Sequence, residues 1–76
     1  MAEFKVTKVL LEQIPESKIL FALSNYFGYV EFIEEDTNFR TYKVSGNIPG
    51  DIKNIMVHFK NVNNKIEVDK WEEIKN

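Results

Sequence analysis

Few side chains in this sequence could carry out chemistry, and cysteine is absent. Without a thiol, the chain has no disulfide, no thiolate metal ligand and no cysteine nucleophile. His58 is the single histidine. A catalytic imidazole needs a group that orients it and, in covalent catalysis, a nucleophile beside it. No such partner lies near His58 in the sequence, so we expect a surface histidine.

Three consecutive carboxylates, Glu34, Glu35 and Asp36, form the densest acidic run. Oxygen ligands of this kind suit hard cations, but a dedicated site needs further oxygen ligands and a glycine that curves the loop. We therefore expect a solvated hairpin tip whose charges discourage pairing between sheet edges. Neither a metal nor a cofactor is predicted.

Phosphate binding and phosphatase chemistry are also disfavoured by the residues present. The segment 48–51 (Ile-Pro-Gly-Asp) has one glycine, and neither glycine-rich phosphate motif occurs in the chain, so we predict a simple turn. The only arginine, Arg40, falls in the third predicted strand. Small phosphatases of related architecture need an arginine in the loop after the first strand. The sequence thus predicts a protein that is not an enzyme.

The composition of the chain limits which other classes of function are possible. The chain has 76 residues, with 10 basic and 12 acidic side chains, and a sequence pI of about 5.3. This acidity disfavours binding to nucleic acid, which usually needs a basic excess. The N-terminus has no signal-like segment, and the longest apolar run, Ile19–Leu23, is far short of a membrane span. We expect one small cytoplasmic domain, residues 1–76, without membrane contact.

The first half of the chain contains a predicted strand and a predicted helix. β-branched residues over 4–11 favour a strand, with a bulge near Lys8 where the alternation fails, or a strand end that is buried on both faces. A helix through Val6, Val9, Leu10 and Ile14 is the weaker alternative. Pro15 favours a helix start, and Gly28 favours a helix end. Apolar residues recur at helical spacing between them, which predicts a helix over 15–27.

A β-hairpin is predicted from 29–35 and 39–45, around a three-residue loop. Pairing Glu35 with Phe39 places Phe32 opposite Tyr42 on the helix-covered face. The same register aligns acidic with basic residues, and its predicted pairs are Val30–Val44, Glu31–Lys43, Ile33–Thr41 and Glu34–Arg40. A slip by one residue would oppose apolar and charged side chains, so this register is favoured.

The last third of the chain is ambiguous. Ile52, Ile55, Met56, Phe59 and Val62 follow helical spacing, whereas alternate residues of the same segment also suit a strand. We predict a helix over 52–60, with a strand as the alternative, followed by a strand over 65–71. The resulting order predicts an α+β, ferredoxin-like split βαβ fold (βαββαβ), with two helices on one face of a four-stranded antiparallel sheet. The alternative is one helix packed on a five-stranded, mostly antiparallel sheet.

The uncovered face of that sheet is the predicted binding surface. The partner-binding residues proposed for it are Tyr29, Ile33, Lys43 and Trp71. An apolar patch with a charged rim marks a contact surface, and Tyr and Trp often dominate binding energy. We therefore predict a small binding or regulatory module (an inhibitor, adaptor or subunit) that contacts a protein partner or a second copy of itself.

Nucleic-acid binding through the same face is the alternative function. Lys5, Arg40 and Lys43 would supply its positive charge, and Phe39 would be its one stacking aromatic. For Trp71, packing into a small core is the competing interpretation.

Overall fold

The structure, a computed structural model, describes residues 1–75. These residues form a small α+β fold, as predicted. Its elements in chain order are β1 (Ala2–Thr7), α1 (Lys8–Gln13), α2 (Glu16–Phe27), β2 (Tyr29–Glu35), β3 (Phe39–Ser45), β4 (Ile55–Val62) and β5 (Lys65–Glu73). Of the helices in residues 1–75, none has the length and apolar character needed to cross a bilayer.

The first strand is shorter than the sequence predicted, because β1 ends at Thr7. The Thr7 side chain accepts a hydrogen bond from the Leu10 amide at 3.1 Å, and this cap starts α1. The strand predicted over 4–11 is therefore wrong beyond Thr7. What resembled a bulge at Lys8 is the change from strand to helix.

The prediction of a helix over 15–27 is confirmed by α2. Pro15 occupies the N-cap position, and Gly28 ends the helix with a positive φ of 99°. One side of α2 is fully apolar and buried. The buried residues are Ile19, Ala22, Leu23 and Phe27.

The predicted hairpin of β2 and β3 is present, and its register is confirmed from Val30 to Phe32. Beyond Phe32 the prediction is wrong, because Ile33 is an extra residue in a bulge. The shift pairs Glu34 with Thr41 and Glu35 with Arg40. It brings the Glu35 carboxylate to 2.6 Å from the Arg40 guanidinium, so a charged hydrogen bond accompanies the irregularity.

The helix predicted over 52–60 is wrong, because this segment contributes strand β4. Asn63 and Asn64 both have positive φ (53° and 66°), as in a two-residue type I′ turn, and they join β4 to β5. Ile55 is buried in the core, and Phe59 is partly buried against it, whereas Met56 is exposed. The alternation of a strand therefore prevails over the helical spacing. The strand predicted over 65–71 is confirmed by β5.

The strands form two sheets, so the ferredoxin-like arrangement is not the one observed. One sheet has the order β1-β3-β2, and the other pairs β4 with β5. A single parallel bridge, Glu3 to Asn54, links the two sheets within residues 1–75. Helix α2 contacts β2, β3 and β5. The alternative of one helix on a five-stranded sheet is not observed either, because residues 1–75 contain two helices and their five strands are divided into sheets of three and two.

One apolar core joins these elements. The buried hydrophobic residues are Ala2, Phe4, Val6, Ile19, Ala22, Leu23, Phe27, Tyr42, Val44, Ile55 and Val68. Alternate residues of β1 (Ala2, Phe4 and Val6) and of β3 (Tyr42 and Val44) point into this core, because successive side chains of a strand point to opposite sides.

Candidate functional site

Strand β2 is a solvent-exposed edge of the three-stranded sheet. Strand β3 is central and pairs with both β1 and β2, whereas within residues 1–75 no strand pairs with the outer edge of β2. None of its seven residues is buried, although Val30 is partly covered. Such an edge exposes both its side chains and its unpaired backbone groups.

Three large apolar side chains of β2 are exposed to solvent. The exposed fraction is 53% for Tyr29, 48% for Phe32 and 38% for Ile33. Two acidic side chains, Glu31 and Glu34, lie on the same strand. We call these five residues the β2 surface. It combines apolar contact area with negative charge along one extended segment.

Of the four predicted binding residues, three lie together. Tyr29 and Ile33 belong to the β2 surface, and Lys43 lies on β3 directly opposite Glu31. Lys43 is half-buried. Its position beside the β2 surface makes it part of the rim.

Trp71 lies apart from the other predicted residues, because β5 belongs to the second sheet. Asp69 is an extra residue in β5: Val68 pairs with Phe59, and Lys70 pairs with His58. An extra residue reverses the alternation beyond it. Trp71 is therefore half-buried and packs against the same core as Val68. The competing interpretation of Trp71, as part of a small core, agrees with this position.

Phe32 lies at the surface, although the sequence predicted it on the helix-covered face of the sheet. Its ring lies opposite Tyr42, with the centroids 6.1 Å apart, but it is not covered by α2. The acidic residues on both sides of Phe32 in the sequence were the available signal, since charges on both faces are typical of an edge strand.

A polar cluster holds the end of the hairpin to α2. Arg40 donates from Nε to Glu16 at 2.8 Å and from Nη1 to Glu35 at 2.6 Å. The hydroxyl of Tyr42 donates to the same Glu16 carboxylate. The guanidinium carbon of Arg40 also lies 4.0 Å from the centroid of the Phe32 ring. One face of that ring therefore packs against the guanidinium in a cation–π contact.

Ionisation in this cluster follows from its hydrogen bonds. The hydrogen bond from Arg40, with the nearby charge of Lys8, lowers the pKa of Glu35. Burial, with the hydrogen bond to Glu16, raises the pKa of Tyr42. At neutral pH the cluster therefore contains an ionised Glu35 carboxylate beside the Arg40 guanidinium, and a neutral Tyr42 phenol.

The three acidic residues at the hairpin tip make different contacts. Asp36 accepts hydrogen bonds from the amides of Asn38 and Phe39, both at 2.8 Å, and these bonds lower its pKa. Glu35 is held by Arg40, and Lys8 lies 3.5 Å away. Of the three, only Glu35 has an ion pair among the contacts of residues 1–75, and Glu34 and Asp36 have none. The three carboxylates thus do not converge on one point.

The sheet face that could bind nucleic acid carries mixed charge. Register and alternation place Lys5 and Lys43 on this face together with Glu3, Glu31 and Glu34. The ring of Phe39 is only partly exposed, and Lys5 lies 5.6 Å from its centroid. Arg40, the third basic residue proposed for this face, lies on the opposite face, where Glu16 and Glu35 bind it.

His58 lies on the face of β4 opposite Ile55 and Phe59, and its side chain is partly exposed, although its Nε2 atom is buried and neither accepts nor donates a hydrogen bond among the contacts of residues 1–75. Its Nε2 atom is 3.5 Å from a carboxylate oxygen of Glu72. The pair is a contact between neighbouring strands of one hairpin, in keeping with the surface position predicted for His58.

Comparison with known protein families, curated proteins and solved structures found no match to this chain.

Proposed function

We propose that this protein is a small non-enzymatic binding or regulatory module that acts in the cytoplasm by contacting a protein partner through the β2 surface. One observation carries the proposal: a seven-residue edge strand has no buried residue and exposes three large apolar side chains. An inhibitor, an adaptor and a subunit would each use such a contact.

The three exposed apolar side chains of β2 lie outside the buried core. Tyr29, Phe32 and Ile33 are absent from the buried cluster and from the partly buried residues packed against it. Exposed apolar residues grouped on one surface often mark an interaction site, whereas scattered ones need no explanation. Their grouping on an unpaired strand supports a contact function.

The unpaired backbone of β2 adds a second source of affinity. Proteins commonly bind extended segments at a free sheet edge, where main-chain hydrogen bonds supply affinity and side chains supply specificity. Strand β2 contains no proline, so each of its residues keeps its amide donor. Lys43 and the acidic residues then form the polar rim that a typical interface has.

Capture from a lysate of the source cells tests the proposal with a matched pair of baits. In one bait, Tyr29, Phe32 and Ile33 are replaced by serine. In the control bait, three exposed apolar residues outside β2 are replaced by serine; these are Val9, Phe21 and Met56. We expect the control bait to retain the captured proteins and the β2 bait to lose them, with both baits folded by circular dichroism.

Nuclease treatment of the lysate separates the two functional classes. Proteins that remain after nuclease and depend on the β2 side chains support the proposal. The proposal fails if both baits capture the same proteins, or if capture disappears with the nucleic acid. A second copy of this chain as the captured species would show a homodimer, which light scattering measures directly.

A further inference from the structure

We infer that the segment received by the β2 surface is an extended strand carrying basic side chains, which pairs with the outer edge of β2. This inference rests on the proposed function and names the chemistry of its partner. It depends on the unpaired backbone of β2, on the charge of two of its side chains and on the apolar residues between them.

The backbone geometry favours an extended partner. In an antiparallel ladder, alternate residues direct their N–H and C=O groups toward one neighbour and the residues between them direct theirs away. Strand β3 satisfies one set of groups in β2. The other set faces solvent along the outer edge, where an added strand supplies the missing partners.

The charge of the edge favours a basic partner. Glu31 and Glu34 pair with Lys43 and Thr41 across the ladder and so share one face of the sheet. Among the contacts of residues 1–75, neither carboxylate has a cation within 4.0 Å, although Lys43 is the direct neighbour of Glu31. Glu35, on the other face, is already neutralised by Arg40 and Lys8. Basic side chains of an added strand would meet Glu31 and Glu34.

A second copy of this chain is a poorer occupant of the same edge. Two copies of β2 side by side would bring four unneutralised carboxylates, Glu31 and Glu34 of each copy, into one small area. Like charges close together on paired strands are destabilising. Acidic residues on an exposed edge therefore disfavour pairing between two copies of β2, whereas they attract a strand that carries basic side chains.

The apolar residues of the β2 surface determine where the partner strand needs apolar side chains. Phe32 and Ile33 lie in the sequence between Glu31 and Glu34. Neither carboxylate has an ion pair among the contacts of residues 1–75, and Glu31 accepts a hydrogen bond from the Tyr29 hydroxyl at 3.5 Å. The bulge at Ile33 interrupts the ladder, which confines continuous pairing to Tyr29–Phe32. The expected partner is thus a short segment in which basic residues alternate with apolar ones, with one basic residue reaching past the bulge toward Glu34.

A designed peptide tests this inference directly. The probe is a fluorescein-labelled ten-residue peptide of alternating lysine and valine, capped at both ends, and binding is measured by fluorescence anisotropy. We expect the double variant Glu31→Gln/Glu34→Gln to weaken binding at least about tenfold, since two charge-assisted contacts are lost. The matched control Glu12→Gln/Asp69→Asn, which removes two exposed carboxylates elsewhere, should leave binding unchanged.

Two further peptides separate edge pairing from simple attraction of charge. One replaces lysine with glutamate, and the other keeps lysine but carries N-methyl groups at alternate backbone amides. Both should fail to bind. Equal binding of the methylated peptide, binding of the acidic peptide, no binding of the probe, or equal loss in the control variant would each overturn the inference.

The outcome for the peptide is distinguishable from the outcome for the proposed function. If the serine bait loses its captured partner but the lysine–valine peptide does not bind, the partner's chemistry is wrong and the contact function stands. If the serine substitutions leave capture unchanged, the contact function and the inference fall together.

Discussion

Phe32 and Tyr42 lie directly opposite each other on paired strands, yet Tyr42 is fully buried and Phe32 is about half exposed. Their ring centroids are 6.1 Å apart. Tyr42 belongs to the central strand and is covered by α2 and its neighbours, whereas Phe32 belongs to the edge. Cross-strand pairing therefore fixes which residues are neighbours, and position within the sheet fixes how deeply each is buried.

Truncation of Phe32 should cost much less stability than truncation of a core aromatic. We expect Phe32→Ala to lower the free energy of unfolding by about 1–2 kcal/mol, because roughly half of the side chain is already in water. Phe4→Ala should cost about 3–5 kcal/mol, as for a fully buried phenylalanine. Urea unfolding of both variants measures the difference, and equal costs would contradict the exposed position of Phe32.

The three glycines should respond to alanine in a defined order. At Gly46 the φ angle is 90° and an added Cβ would collide with the carbonyl oxygen of Phe27. Gly28 also has positive φ but has open space, and Gly50 has neither constraint. We expect Gly50→Ala to be near neutral, Gly28→Ala to cost about 1 kcal/mol, and Gly46→Ala to cost the most. Thermal unfolding measured by circular dichroism gives the order, and a neutral Gly46→Ala would contradict the close approach.

Acid should destabilise the hairpin end of the molecule. The folded pKa values of Glu35 and Asp36 lie below their ordinary values of 4.5 and 3.8. The unfolded chain therefore binds protons first as the pH falls, and the stabilisation is lost as the pH drops through the folded values. We expect the urea midpoint to fall from about pH 4.5 downward.

A variant of Glu35 provides the control for this pH dependence. Glu35→Gln should be less stable than the native chain at pH 7 and should lose less stability in acid, because its contribution to the linkage is gone. An unchanged slope of stability against pH in this variant would show that other carboxylates dominate.

Single-stranded nucleic acid should bind weakly. Lys5 and Lys43 share their sheet face with three carboxylates, and Arg40 is engaged on the other face. Fluorescence titration with a labelled oligonucleotide should give a Kd no tighter than about 100 μM at physiological salt, in the range of non-specific binding. Submicromolar binding that is lost in Lys5→Ala/Lys43→Ala would instead favour nucleic acid as the partner.

The parts of the fold that the sequence predicted well are those decided by local pattern. Helix α2 has its apolar spacing, Pro15 before it and Gly28 after it. The β2–β3 hairpin has an alternation that only one register satisfies as far as Phe32. The bulge at Ile33 was not predicted, because the contacts that accompany it, between Arg40 and Glu35 and between Asp36 and the turn amides, are side-chain contacts that strand alternation does not indicate.

The remaining errors arose where two patterns fitted the same residues. Segment 52–60 fits helical spacing throughout and strand alternation everywhere except at Met56, which favoured the helix. The two asparagines that follow the segment were the better guide, since they adopt the positive φ of a tight hairpin turn. For the candidate site, the sequence indicated Tyr29, Ile33 and Lys43. It could not show that Asp69 is an extra residue, which moves Trp71 to the core side of β5.

The bridge between Glu3 and Asn54 has a consequence for how the molecule opens. Across this junction the amide of Glu3 donates to the carbonyl of Lys53 at 2.8 Å, and apolar contacts supply most of the remaining attachment. The β4–β5 hairpin can then separate as one cooperative unit, with its own ladder intact, at a lower free energy than global unfolding. Amide hydrogen exchange in mild urea should show the Glu3 amide, which donates to the Lys53 carbonyl, losing protection before the amides at the centre of β3, because the β4–β5 hairpin separates from the three-stranded sheet first.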